Sequence, residues 1–396
     1  MKLTKKKNIL ISILKKILNK IIGLILSEKI WLLPKKNDLL ILDRSGVDKI
    51  TKTIIGKTKF SVFDVRNESI NIPILIYSII FFFKYGINSY KICFIKYIKP
   101  KVILTFIDTL INFSILIEKI PGTKFMMIMN GKRHEHEIKV LDTRKKYRLD
   151  YYFVFGDYYQ KFVEKKISCE VISTGSIIAN SLKKPNFKKI SKIQFISSWS
   201  PAHLEKYYKK SSIREYYEVS KFILKNIVAF AKKNNFLIEV LSRTNFLEEE
   251  NFYKSIFKDF TYIKKNKNDF YSNYNKLSEE TIIVGQDSTF LMECFGLGYR
   301  TAFFTIADRN LDDDHPDHIR FFPWCWPKKI EDRGFFWSNV RNSEYILEVL
   351  ENLRTVDEKS WKEKVLPYQH GVMRYDSNNK IIKDILNKEG IPITSD

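Results

Sequence analysis

Cysteine is scarce and scattered in this chain of 396 residues. Cys93, Cys169, Cys294 and Cys325 form no CxxC pair, which argues against a disulfide framework and for free thiols in a reducing compartment. Acidic residues are also few: 45 Asp and Glu stand against 68 Lys and Arg, a formal net charge of +23. A chain with that balance prefers anionic partners, either a membrane surface or nucleic acid. No zinc-finger, helix-turn-helix or RNA-stacking signature accompanies the charge, so nucleic acid is not expected as a partner. Long clean apolar runs are missing as well. A spanning helix needs ~20 apolar residues with few charges. The stretch Ile9 to Leu26 is interrupted by Lys15, Lys16, Asn19 and Lys20, and no small-residue cleavage site follows it. No fixed-period repeat is present.

What is there begins with that interrupted stretch. Leu10, Ile13, Leu14, Ile17, Leu18, Ile21, Leu24 and Ile25 follow helical spacing, with lysines on the other side. This pattern predicts a basic amphipathic helix lying on an anionic membrane surface, or packed on the protein itself. Ile72 to Phe83 is a second apolar run, too short to span a bilayer. It reads as a buried helix or as an extension of the membrane-facing surface.

After Pro34 the pattern alternates between strand and helix. Apolar strand-like runs recur at 39–42, 102–107, 124–129, 151–155 and 169–173, and again at 192–196, 236–241, 281–285 and 300–304. Helices are expected near 214–233, 289–296, 343–353 and 358–365. The polar, lysine-rich segment Lys183 to Lys192, with Pro185, reads as a linker. The expected fold class is α/β, with two doubly wound domains facing each other. The expected divisions are a membrane-associating helix at 1–33, a first Rossmann-like domain at 34–185 and a second at 186–396 with closing helices. At 396 residues the chain is too long for one ordinary core.

In doubly wound sheets ligands bind beyond the carboxyl ends of the strands. The polar residues expected there include Asp108, Asn130 to His134, Gly175 and Ser176, Ser197, Arg243, and Asp287 to Thr289. The segment Ile282 to Phe304 is the most telling. It reads as strand, polar turn, helix and strand, with Phe290, Leu291, Cys294 and Phe295 on one helix face and Gly296 and Gly298 ending it. Amides at such a helix start favour an anion, often phosphate. Ser288 and Thr289 then hold phosphate, Arg243 adds charge, and Glu293 accepts from a ribose. The plain alternative is a capped helix at an ordinary βαβ corner.

On the other side, Asp108 offers a base or nucleophile, Arg133 and Lys132 offer positive charge, and His134 offers a proton shuttle. The alternatives are a helix cap for Asp108 and a solvated loop for His134-Glu135-His136. Asp312 to His318 has the composition of a metal site but no standard ligand spacing, so no metal is expected. Trp324, Trp326, Phe335, Phe336 and Trp337 form either a sugar- or lipid-binding surface or a packed closing segment.

Five separated segments carry a family resemblance: KVILTFID at 101–108, KFMMIMNGKR at 124–133, Tyr152 to Ser176, Gly285 to Phe304, and PWCWPKKIEDRGFFW at 323–337. Together they resemble bacterial surface-carbohydrate, or O-antigen, biosynthesis proteins. The family commonly has Asn and Gln where this chain has Thr109 and Met129. The resemblance implies a GT-B-like architecture of two Rossmann-like domains across a cleft, with 34–185 as the acceptor domain and 186–396 as the nucleotide-donor domain. It implies a glycosyltransferase that moves a sugar from a nucleotide-sugar donor to a lipid-linked oligosaccharide acceptor, on the cytoplasmic face of the plasma membrane and without a cofactor. More distantly the second half is similar to CDP-glycerol glycerophosphotransferases, which implies transfer of an alcohol phosphate instead. A non-catalytic protein that recruits other enzymes to the membrane is the third reading.

Overall fold

The computed structural model describes residues 25–66, 68–108, 116, 118–133, 148–165, 167–199, 211–266, 268–286, 288–306 and 331–393. Most of the predicted N-terminal stripe, Thr109, His134 to His136, Asp287, the Asp312 to His318 cluster, Trp324, Cys325 and Trp326 lie outside these residues.

Fifteen strands occur among the described residues. They are β1 (Glu28–Ile30), β2 (Leu39–Leu42), β3 (Phe60–Phe63), β4 (Ser69–Asn71), β5 (Val102–Thr105), β6 (Lys124–Ile128), β7 (Arg148–Val154), β8 (Ser168–Ser173), β9 (Lys192–Ile196), β10 (Leu237–Leu241), β11 (Thr261–Ile263), β12 (Thr281–Gly285), β13 (Thr301–Phe303), β14 (Arg333–Gly334) and β15 (Trp337–Ser338). Nearly every strand expected from the apolar runs is present within a residue or two. The short strands β1, β3, β4, β11, β14 and β15 add to them.

One sheet has the order β3-β2-β5-β6-β7-β8 and another β11-β10-β9-β12-β13-β15-β14; β1 and β4 form a separate parallel pair. The central strands are apolar on both faces, as a sheet covered by helices on both sides requires: Leu39 to Leu42 of β2 and Thr281 to Gly285 of β12 are wholly buried. The chain divides into two compact units. The first comprises Met1–Ile128, Lys146–Tyr152 and Ile382–Asp396; the second comprises Met129–Lys145 and Phe153–Ile381.

In the second unit, β9, β10 and β11 run outward in one direction and β12 and β13 in the other. Counted from β9 this is the order 3-2-1-4-5, so the winding reverses between β9 and β12. These two strands are parallel neighbours, with Val284 opposite Phe195. In the first unit the reversal falls between β2 and β5, with Leu42 opposite Thr105. These reversals are where doubly wound sheets open a ligand crevice.

The helix Thr289–Leu297 starts at Ser288, whose hydroxyl accepts from the Phe290 amide at 3.2 Å. It ends at Gly298, whose left-handed φ of 104° suits glycine. Gly296 does not end the helix, contrary to the sequence reading. It lies in the last turn against Met373, where a side chain would meet the Met373 Cγ at 2.5 Å. Phe295, Phe303, Phe336 and Trp361 form an aromatic core under this helix, so Phe336 belongs to the packed closing segment. Trp337 is also buried.

Cys93 and Cys294 are buried free thiols. Ile72 to Phe83 is neither a single helix nor buried. It forms Ile72–Ile80 and then Phe82–Tyr85, with Phe81 at the break.

Candidate functional site

The candidate site in the second unit starts from the neighbouring carboxyl ends of β9 and β12. Ser197 follows β9. Its amide bonds the Leu241 carbonyl, and its hydroxyl accepts from Tyr253 at 2.9 Å and from the Trp199 amide at 3.2 Å. Gln286 follows β12 and accepts from the Ser220 hydroxyl at 2.8 Å. Beyond it Ser288 and Thr289 open the helix.

Arg243 follows β10. The buried Glu249 carboxylate holds this turn, accepting from the Arg243 amide at 2.9 Å and from the Thr244 amide at 2.8 Å. The Arg243 guanidinium reaches back to the Ser198 carbonyl at 3.1 Å. An exposed cation is thereby directed from β10 toward the end of β9.

A further loop joins this turn. The Lys132 amide donates to the Thr289 hydroxyl at 3.2 Å. Asn130, in the same loop, accepts from Arg133 Nη2 at 2.7 Å, which restrains the guanidinium. The sequence puts Lys132 and Arg133 in the acceptor-side segment, as charge for the leaving phosphate. Within the second unit their loop meets the helix start assigned to the donor. No spacing rule reports this, because the two residues are 157 positions apart.

Glu293 lies one turn into the helix and is buried. Its carboxylate accepts from the Ser176 hydroxyl and from the Tyr274 hydroxyl, each at 2.5 Å. Ser176 and Glu293 are therefore brought together, and Tyr274 joins them without any signal in the sequence. Removal of its hydroxyl from water, and then the Glu293 charge, hold the Tyr274 pKa well above its ordinary value. Gly175 has a left-handed φ of 80°, and a side chain there would lie 1.9 Å from the Arg374 carbonyl. It shapes the turn that presents Ser176 and offers no side chain of its own.

Asp108 stands in the first unit, two residues past Phe106 and close to the reversal between β2 and β5. It is buried, and its carboxylate accepts from the Tyr152 hydroxyl at 3.2 Å. Asp43, at the end of β2, is also buried. It accepts from the Ser45 hydroxyl at 2.6 Å and pairs with Arg66 at 3.0 Å. Among the described residues no cluster of three or more His, Cys, Asp or Glu could hold a metal ion.

Comparison with known proteins bears on fold and family. The chain is similar to the UDP-GlcNAc 2-epimerase of Neisseria meningitidis, solved with UDP-GlcNAc bound, at 13% identity and a TM-score of 0.51 over 88% of this chain and 99% of that one. It is also similar to a Listeria monocytogenes structure described as a "putative UDP-N-acetylglucosamine 2-epimerase", at 11% identity and a TM-score of 0.52 over 89% of this chain and 96% of that one. These likenesses establish a GT-B-like α/β fold. Among curated proteins nothing matches. A family model described as "putative O-antigen biosynthesis protein" matches residues 126–390. The chain belongs to that O-antigen biosynthesis family.

Proposed function

We propose that the chain is a glycosyltransferase that moves a sugar from a nucleotide-sugar donor to a lipid-linked oligosaccharide, working at the cytoplasmic face of the plasma membrane. The family gives the setting, surface-glycan biosynthesis. The observation that carries the reading is the turn at the end of β12. A helix N-terminus stands at the winding reversal, and a loop bearing Lys132 and Arg133 is hydrogen-bonded to its first residue. Helix amides and cations together suit a phosphate-bearing ligand. The neighbour from N. meningitidis was solved with UDP-GlcNAc bound, a ligand of the same class.

In the proposed reaction the acceptor hydroxyl attacks the anomeric carbon and the nucleotide phosphate departs. Asp108 takes the hydroxyl proton; if configuration is retained it instead displaces the nucleotide phosphate first, and the acceptor hydroxyl then displaces Asp108 from the resulting glycosyl ester. The helix start at Ser288 and Thr289, with Arg133 and Arg243, offsets the charge on the leaving phosphate. Glu293 does not reach the ribose directly in this scheme. Held by Ser176 and Tyr274, it fixes the helix that carries the phosphate site.

A thermal-shift screen of the full chain against nucleotides and nucleotide sugars tests donor binding. Saturation at 100 times Kd adds about 2.7 kcal/mol of stability, which is readily measured. A panel without any shift removes the donor assignment.

A further inference from the structure

The helix Ile72–Ile80 is apolar on every side, with the sequence IPILIYSII. A helix of that kind is normally buried in a core or in lipid. Here only Ile74 and Ser78 are buried. Ile76, Ile79, Ile80, Phe82, Phe83 and Ile87 are between 56% and 100% exposed, with Phe83 fully exposed. They form one elbow, because the chain bends by 79° between Ile72–Ile80 and Phe82–Ile98.

The returning arm, Ser89–Ile98, is different. Its Ile92, Cys93, Phe94, Ile95 and Ile98 are each no more than 5% exposed, so this arm packs on the unit's own core. No single helix among the described residues is long and apolar enough to cross a membrane, although this bent pair has the length and composition for it. Because the returning arm is packed on the unit's own core, the elbow suits shallow insertion, with one arm anchored in the protein.

Charge identifies the occupant. Residues 69–107 contain no Asp or Glu and five lysines, and none of the lysines precedes Lys84. Tyr85 accepts from Lys96 at 2.9 Å, and Lys84 lies over its ring at 5.5 Å. Lysines and a tyrosine flanking an apolar tip match the headgroup layer above a hydrocarbon interior. Trp31 and Leu32 continue the exposed apolar surface. Asn71, which caps the elbow's first helix, donates to the Leu32 carbonyl at 2.7 Å.

We propose that the Ile72–Ile87 elbow inserts into the acyl boundary of an anionic bilayer and fixes how the first unit docks on it. This rests on the membrane-surface reading above and adds a second contact to the one expected from the N-terminal segment. Lipid is the occupant because the tip is apolar while the chain that returns from it carries five lysines from Lys84 to Lys101 and no acidic residue; a protein partner would leave that charge pattern without a purpose.

The test uses the full chain, with vesicles of phosphatidylcholine containing phosphatidylglycerol. The emission that the Phe83→Trp variant gains over the wild type should shift to the blue and be quenched by lipids brominated along the acyl chain. The double variant Ile80→Glu/Phe83→Glu should lose at least tenfold in vesicle partitioning (~1.4 kcal/mol or more) while keeping its melting temperature and its oligomeric state. Wild-type flotation, with no quenching of the emission gained by the Phe83→Trp variant and unchanged partitioning of the double variant, would overturn the elbow and leave the broader membrane reading standing. Absence of wild-type flotation would overturn both. A dimer that the double variant dissociates would reassign the elbow to a second copy of the chain.

Discussion

The Lys132 amide and the Thr289 hydroxyl are joined at 3.2 Å across 157 positions of sequence. That bond ties the loop after β6 to the first residue of the helix after β12, so the cations of the loop travel with the helix start. Thr289→Val keeps the shape and removes the acceptor. Donor nucleotide affinity should fall about 5- to 30-fold, as expected for the loss of a hydrogen bond worth ~1–2 kcal/mol. Calorimetry giving wild-type affinity would detach the loop from the donor site.

Ser288→Ala removes the helix cap that accepts from Phe290. A cap of this kind is worth ~0.5–2 kcal/mol. Both the melting temperature and donor affinity should fall. If stability alone falls, Ser288 is a cap and takes no part in phosphate binding.

Glu293 separates structure from ligand contact. Glu293→Ala leaves the Ser176 and Tyr274 hydroxyls without their shared acceptor and should cost ~1–3 kcal/mol of stability. Glu293→Gln keeps an acceptor and should recover much of that loss in a denaturant titration. Equal stability of both variants with the wild type would show that the buried network contributes nothing to the fold.

The same network fixes an alkaline limit. Tyr274 has its pKa raised by burial and by Glu293, so its proton is held more tightly in the folded chain than in the unfolded one. The stability this provides is fully present below the unfolded value of about 10 and is lost as pH rises beyond it. Tyr274→Phe should be less stable at neutral pH yet show a shallower loss between roughly pH 9 and 11. Parallel melting-temperature curves for the two proteins would contradict this.

These networks explain what the sequence made legible. Leu39 to Leu42, Lys192 to Ile196 and Thr281 to Gly285 stood out because central parallel strands are continuous apolar runs bounded by polar turns. The helix Thr289–Leu297 stood out through its Ser cap and Gly298. Phe60–Phe63 did not, because it is an edge strand whose residues alternate between partly and fully buried. Ile72 to Phe83 was ambiguous because composition alone cannot separate a buried helix from one that meets lipid. Tyr274 at Glu293, and Lys132 at Thr289, were invisible because the fold brings them together and no local spacing records it. Glu293 was legible as an acidic residue near the helix start, but its burial against two hydroxyls was not.

Product mass reads the proposed transfer chemistry most directly. The full chain is incubated with a panel of nucleotide sugars and lipid-linked oligosaccharide acceptors, beside the Asp108→Asn variant. The prediction is an acceptor heavier by one sugar residue, with release of the nucleotide, and no such product from the variant although its nucleotide affinity is nearly unchanged. Asparagine keeps the shape of Asp108 but can act neither as base nor as nucleophile. Near-normal turnover by the variant would retire Asp108 and leave His134 or Glu135 as the next candidate. An acceptor that gains no sugar from any donor, or gains an alcohol phosphate from a CDP donor instead, would contradict the central claim.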